Sequence, residues 1–106
     1  MKIIPEKLDW EFGKIKGFYG KTLLDKKNGG IKLVKVIPLA DYPIHKHPNK
    51  TEFIYVLEGN PTIIIGEKEY TSEKGDFFTL PKATNHSIKN ESTTNECLLI
   101  IGAIKE

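Results

Sequence analysis

Arginine is missing from the chain: all 16 of its basic residues are lysines. Arginine is the usual two-pronged clamp for carboxylates and phosphates. An anion bound here must therefore be held by lysine, by backbone N–H groups or by a metal ion. An excess of either charge is missing as well, because 14 acidic residues leave a formal net charge of only +2. The lysines are interleaved with glutamates and form no basic stripe, which argues against a nucleic-acid partner. Cysteine occurs once, at Cys97, so no intrachain disulfide can form. It lies in Cys97-Leu98-Leu99-Ile100-Ile101, where a thiol is expected to act as a small buried hydrophobe and not as a nucleophile.

Long apolar runs are also lacking. None reaches the ~20 residues of a membrane helix. Met1-Lys2-Ile3-Ile4-Pro5 passes straight into charged residues, without the apolar core of a secretory signal. These absences predict a soluble, cytoplasmic protein with no membrane partner. The 106 residues suffice for one domain with one modest core. No window sustains a helical apolar stripe over the ~10–12 residues that a helix requires.

Turn signals, by contrast, are dense. Asn28-Gly29-Gly30, Pro38, Pro48-Asn49, Gly59-Asn60-Pro61, Gly66, Gly75-Asp76, Pro81 and Asn90 cut the chain into short pieces rich in β-branched and aromatic residues. Strands are predicted at Ile31–Ile37, Glu52–Leu57, Thr62–Ile65, Phe77–Leu80 and Cys97–Ile101. Asn28-Gly29 is read as the central pair of a tight hairpin turn with positive φ at both residues. Glu52-Phe53-Ile54-Tyr55-Val56-Leu57-Glu58 is apolar on both faces, as in a strand covered on both sides. Residues 1–20, with Trp10, Phe12, Phe18 and Tyr19 spaced by glycine and lysine, are read as an N-terminal arm.

All three histidines fall into one pattern. On a strand, His45-Lys46-His47 puts both imidazoles on one face. Pro48-Asn49-Lys50 turns the chain, and Glu52 opens a returning strand that carries a carboxylate to the same face. His86 must arrive from a third strand, which only a closed or strongly curved sheet allows. Imidazole nitrogens with one carboxylate suit a divalent first-row metal, whereas the same groups buried without metal are left unsatisfied.

The stretch His45-Lys46-His47, four residues, Glu52, six residues, Gly59 resembles the first motif of the cupin family. Gly75, five residues, Pro81, then His86, three residues, Asn90 resembles the second. Two positions depart from the family pattern: Leu39 stands where glycine opens the first motif, and Ala83 where glycine follows the proline of the second. Both fall in turns, and the four ligand positions are filled with the expected residue types. The resemblance implies an all-β fold, the cupin double-stranded β-helix or jelly-roll-like barrel. It implies one divalent metal ion, Fe(II), Mn(II), Ni(II) or Zn(II), held by His45, His47, Glu52 and His86. It also implies frequent homodimers, to which Ile3-Ile4 and Leu98–Ile101, read as edge segments needing cover, would contribute. It does not imply one reaction.

A metal held by four protein ligands and preferring five or six keeps room for substrate, water or dioxygen. Strand alternation places Ile54 and Val56 on the face of Glu52, Ile88 on that of His86 and Pro43 on that of His45. Such apolar walls predict a small, modestly polar substrate. Tyr42, Tyr55 and Lys35 are candidates to supply a proton or a hydrogen bond. The expected function is a metal-dependent oxidoreductase of dioxygenase type; the alternatives are a sensing or binding module without turnover and a metal-dependent isomerase or lyase.

Overall fold

The computed structural model describes residues 1–106. A short 3₁₀ turn at Pro5–Lys7 precedes ten strands: β1 (Glu11–Phe12), β2 (Phe18–Lys26), β3 (Gly29–Val36), β4 (Asp41–His45), β5 (Lys50–Glu58), β6 (Thr62–Ile65), β7 (Lys68–Thr71), β8 (Phe77–Leu80), β9 (His86–Lys89) and β10 (Cys97–Lys105). They form two antiparallel sheets, a six-stranded one in the order β1-β2-β3-β10-β5-β8 and a four-stranded one in the order β4-β9-β6-β7. The architecture is all-β, as the turn spacing predicts, and jelly-roll-like, as the cupin resemblance implies. No helix is long and apolar enough to cross a membrane.

Alternation decides what fills the space between the sheets. Phe18 of β2, Val34 and Val36 of β3, Cys97 and Leu99 of β10, and Ile54 and Val56 of β5 point inward from the larger sheet. Ile63 of β6 and Ile88 of β9, paired across from each other, close over them from the smaller sheet. Burial of each large side chain stabilises the fold by ~1.5–3 kcal/mol before entropy is counted. Asn90 is buried beside this core, and its side-chain amide lies 3.1, 3.2 and 2.8 Å from the carbonyls of Val36, Ile37 and Asn95, tying the end of β3 to the loop that leads into β10.

Three expectations are corrected. The β2–β3 hairpin turns through Lys27-Asn28, because Lys26 pairs with Gly29, and neither central residue has positive φ. Glycine at 29 answers a different need: a Cβ there would lie 2.1 Å from the Ala103 carbonyl oxygen of β10. Leu98–Ile101 is not an edge segment, since β10 lies between β3 and β5. Finally, Phe18 and Tyr19 belong to β2, so the segment lying outside the long strands ends before them.

That preceding segment is pinned to the outer face of the larger sheet. The Lys21 ammonium donates to the Pro5 carbonyl at 2.9 Å and lies 4.5 Å from the centre of the Trp10 ring. Lys35 covers the same ring at 4.7 Å and Tyr19 at 5.2 Å. Cation–π attraction thus holds Trp10 against the sheet.

Leu39 and Ala83 adopt φ of 66° and 60°, and they are the non-glycine residues in the left-handed region. These are the two positions where glycine is replaced in the motifs. The backbone keeps the turn and the side chain bears the strain, ~1–2 kcal/mol per residue. Both turns are anchored, Leu39 N–H to the Ser92 carbonyl at 3.1 Å and Ala83 N–H to the His47 carbonyl at 2.8 Å. Leu39 is 65% exposed, so truncating it sacrifices little packing. Leu39→Gly and Ala83→Gly should each raise stability by up to ~1 kcal/mol, a few degrees in melting temperature. Melts that fall by the same amount would contradict the strain.

Candidate metal centre

His45 closes β4 and His86 opens β9, and the two are paired directly across the strands. Their rings are 4.2 Å apart at the centres, with His47 at 5.1 Å from His45 and 5.5 Å from His86. The Pro48-Asn49 turn returns the chain into β5, whose third residue is Glu52. One ligand atom from each of His45, His47, Glu52 and His86 lies within 4.8 Å of the others. The sequence grouped these four residues, and the fold brings them together.

The backbone fixes how the imidazoles face. Nδ1 of His45 lies 2.8 Å from the Pro43 carbonyl and Nδ1 of His86 3.1 Å from the Thr84 carbonyl. A carbonyl only accepts, so each Nδ1 carries a proton, and in the neutral ring each Nε2 is left as a bare lone pair. Glu52 Oε1 lies 3.1 Å from Nε2 of His47 and 3.3 Å from Nε2 of His86. It is buried and has no hydrogen-bond partner. With neutral rings, the Glu52 oxygen thus faces the bare Nε2 of His86, an acceptor against an acceptor, at a cost of ~1–3 kcal/mol. A cation between them removes the conflict, and the donor set of imidazoles and one carboxylate fits a divalent transition metal. His45, His47, Glu52 and His86 could hold such an ion.

The electrostatics are asymmetric. Burial acts to raise the pKa of Glu52, yet without metal a hydrogen bond from the protonated His86 ring, with the charges of Lys50, His47 and His86, outweighs it and holds the carboxyl below its ordinary value. Burial holds the His47 imidazole below its ordinary value, against the pull of Glu52. Burial, with help from the Glu52 charge, raises the Tyr42 phenol, which stays protonated. Burial also raises the Cys97 thiol, consistent with an inert core residue.

The other candidates separate. The Tyr42 ring packs on His45 at 4.4 Å and edge-on to Phe18 at 5.2 Å, inside the barrel. It reaches this place through an irregularity in register between Tyr42 and His45, which puts both on the inner face and leaves Pro43 exposed. Pro43 is therefore no pocket wall. Tyr55 alternates with the inward Ile54 and Val56, faces outward and packs near Phe77, so it is no proton donor for the site. Lys35 is likewise outside, over Trp10 and Tyr19. Ile54, Val56 and Ile88 are buried in the core below the ligands and form a floor, not open walls. The open space beside Glu52 is a cleft of about 450 Å³ lined largely by polar residues, among them Asp25, Lys26, Lys32, Lys50 and Lys105. Sequence reasoning missed these lysines as site neighbours, although Lys50 shares the parity of Glu52.

The pattern of the cupin domain family matches residues 32–102, which span most of both sheets and all four ligand candidates. The chain is a cupin. An uncharacterized protein of Methanocaldococcus jannaschii is 34% identical over 56 residues, a match covering 52% of this chain and 45% of that protein. The match thus spans less than half the length of that curated relative. Among solved structures, a predicted oxalate decarboxylase from Thermotoga maritima aligns with a TM-score of 0.90 at 20% identity, over 100% of both chains. The polyketide cyclase RemF from Streptomyces resistomycificus aligns at 0.87 and 19% identity, over 100% of this cupin and 80% of its own chain. A sugar phosphate isomerase from Silicibacter pomeroyi aligns at 0.87 and 17% identity, over 100% and 76%. At such identities the likeness concerns the fold.

The direction of two pKa shifts sets a pH dependence for the metal-free cupin. Glu52 and His47 both have folded-state values below their ordinary ones. The unfolded chain therefore binds more protons, and stability rises with pH. The Glu52 contribution is present above its unfolded value and is lost as pH falls through the folded one; the His47 penalty grows as pH falls below its ordinary value. Metal-free protein should melt lower at acidic than at neutral pH, with a shallower slope in His47→Gln. A melting temperature that climbs on acidification would contradict these assignments.

Proposed function

We propose that this cupin holds one divalent transition metal ion, Fe(II), Mn(II), Ni(II) or Zn(II), through His45, His47, Glu52 and His86. We read it as a metal-dependent enzyme, an oxidoreductase of dioxygenase type acting on a small molecule. The observation that carries the metal is the partnerless Glu52 oxygen facing two imidazole nitrogens. When bound, the ion would polarise a chelating substrate and, as Fe(II), support dioxygen chemistry. The chain's own residues do the rest. The Pro43 and Thr84 carbonyls orient two imidazoles, Glu52 brings the negative charge, and Ile54, Val56 and Ile88 exclude water from below.

Tyr42 favours a second reading, a metal-dependent isomerase or lyase. Its phenol is kept protonated beside the ligands and could pass a proton to or from a bound substrate. The activities named for two similar structures, an isomerase and a cyclase, are compatible with this reading.

Protein prepared without a metal-affinity step should contain one first-row divalent ion per chain. With Fe(II) and small enolisable carboxylates or diketones, the dioxygenase reading expects oxygen uptake equal to substrate loss, both oxygen atoms entering the product. Solvent-deuterium exchange into substrate without oxygen uptake, abolished in Tyr42→Phe, would move the assignment to the isomerase. Bound metal with neither reaction would leave a sensing or binding module.

We also propose a homodimer through the outer face of the larger sheet. Tyr55, Phe77 and Ile104 are exposed on β5, β8 and β10 there, an apolar surface that a second copy would cover. Sedimentation should return twice the 12.0 kDa of the chain, and a single-chain mass at micromolar concentration would remove the dimer.

A further inference from the structure

Inside the barrel the inner faces of three neighbouring strands change character along their length in the same way. On β5 the inward residues run Val56, Ile54, Glu52, Lys50; on β10 they run Cys97, Leu99, Ile101, Ala103, Lys105; on β3 they run Val36, Val34, Lys32. The register places Lys105 across from Lys50, and Lys32 across from Ile101. Lys50 and Lys105 thus face each other at the mouth, and Lys32 reaches the same cleft from the row of Ile101 and Ile54. Together with Lys26, these lysines line the cleft of about 450 Å³ that has Glu52 in its wall. None of the four has a carboxylate within salt-bridge distance, whereas Lys82 pairs with Glu106 elsewhere on the surface. Asp25 is the other acidic residue of the lining. Cationic groups converging without partners on a concave wall attract and hold an anion.

We infer that the cleft is the binding site of a small anionic ligand, a carboxylate or a phosphate ester, whose charged group is held by Lys32, Lys50 and Lys105 while its other end reaches the metal ligands. The inference rests on the proposed metal centre for the second half of that statement, and on the lysines alone for the first. With no arginine in the chain, lysine ammonium groups are the side-chain cations that remain for the task. A neutral ligand of the same shape leaves these charges unused and binds more weakly.

The test uses Co(II)-loaded protein, titrated with malonate, inorganic phosphate and the neutral comparator malonamide, and follows the visible cobalt bands. At least one anion should bind about tenfold or more tighter than malonamide, and the preferred anion identifies carboxylate or phosphate as the class. The Lys32→Met/Lys50→Met double variant should weaken that binding by at least about tenfold while its anion-free cobalt spectrum stays unchanged. Equal affinity for malonamide, or an unchanged affinity in the double variant, overturns the inference. If wild type shows no cobalt bands, the metal reading fails by itself. Calorimetric titration of the same anions into metal-free protein then decides the lysine site, with saturable binding lost in the double variant supporting it and no binding overturning it.

Discussion

A buried carboxylate oxygen facing lone pairs is the constraint around which this barrel is organised. Glu52 Oε1 sits between the Nε2 atoms of His47 and His86, and the Thr84 carbonyl holds the neutral His86 ring with its proton on Nδ1, so that a bare lone pair faces the carboxylate. Such an arrangement is unfavourable in isolation, and a cation in its midst would relieve it. Everything beneath it is apolar and closely packed, so the site cannot relax by sinking or by admitting water from below. Beside it lies an open cleft to which Lys32, Lys50 and Lys105 contribute. The change from aliphatic floor through Glu52 to the Lys50–Lys105 pair follows from the register of β5 against β10.

The two motif loops are shaped to keep that register. Ala83 donates its N–H to the carbonyl of His47, Leu39 donates to that of Ser92, and Asn90 donates to the carbonyls of Val36, Ile37 and Ala40 on both sides of Leu39. These contacts demand a left-handed backbone at Leu39 and Ala83 even though neither residue is glycine. The retention of a strained conformation at both positions indicates that the surrounding hydrogen bonds over-determine the loops. Local strain is tolerated because it fixes where the histidines stand.

Much of this was legible in the residues. Thr62–Ile65 and Phe77–Leu80 form strands at the predicted bounds, because turn residues flank them closely and their β-branched and aromatic side chains suit a pleated surface. His-x-His, the turn and Glu52 fell on one face by alternation. Other features were not legible. The chain extends β10 to Lys105 and builds β7 from Lys68-Glu69-Tyr70-Thr71, whose strand character comes from pairing with β6 and not from hydrophobic pattern; β2 was obscured by the lysines and glycine set among its aromatic and aliphatic residues. The register irregularity in β4 could not be anticipated from period-two reasoning, so Pro43 was assigned the face that Tyr42 occupies. Tyr55 is different: alternation from Glu52 already places it outside, and the rule needed only to be applied. The polar cleft was hidden because its lysines come from strands far apart in sequence.

The central claim is that the Glu52 site is built around a cation, and an isosteric change isolates it. Glu52→Gln removes the charge and supplies an N–H₂ group able to donate to the facing imidazole nitrogens. Melting of metal-free protein and of protein titrated with Zn(II) should be compared for wild type and this variant. The account predicts that wild type gains stability on adding one equivalent, about 2.7 kcal/mol once free metal exceeds the dissociation constant a hundredfold. It predicts that the variant is more stable than wild type without metal and gains much less with it. Equal metal-induced shifts in the two proteins, or no shift in wild type, would contradict the account.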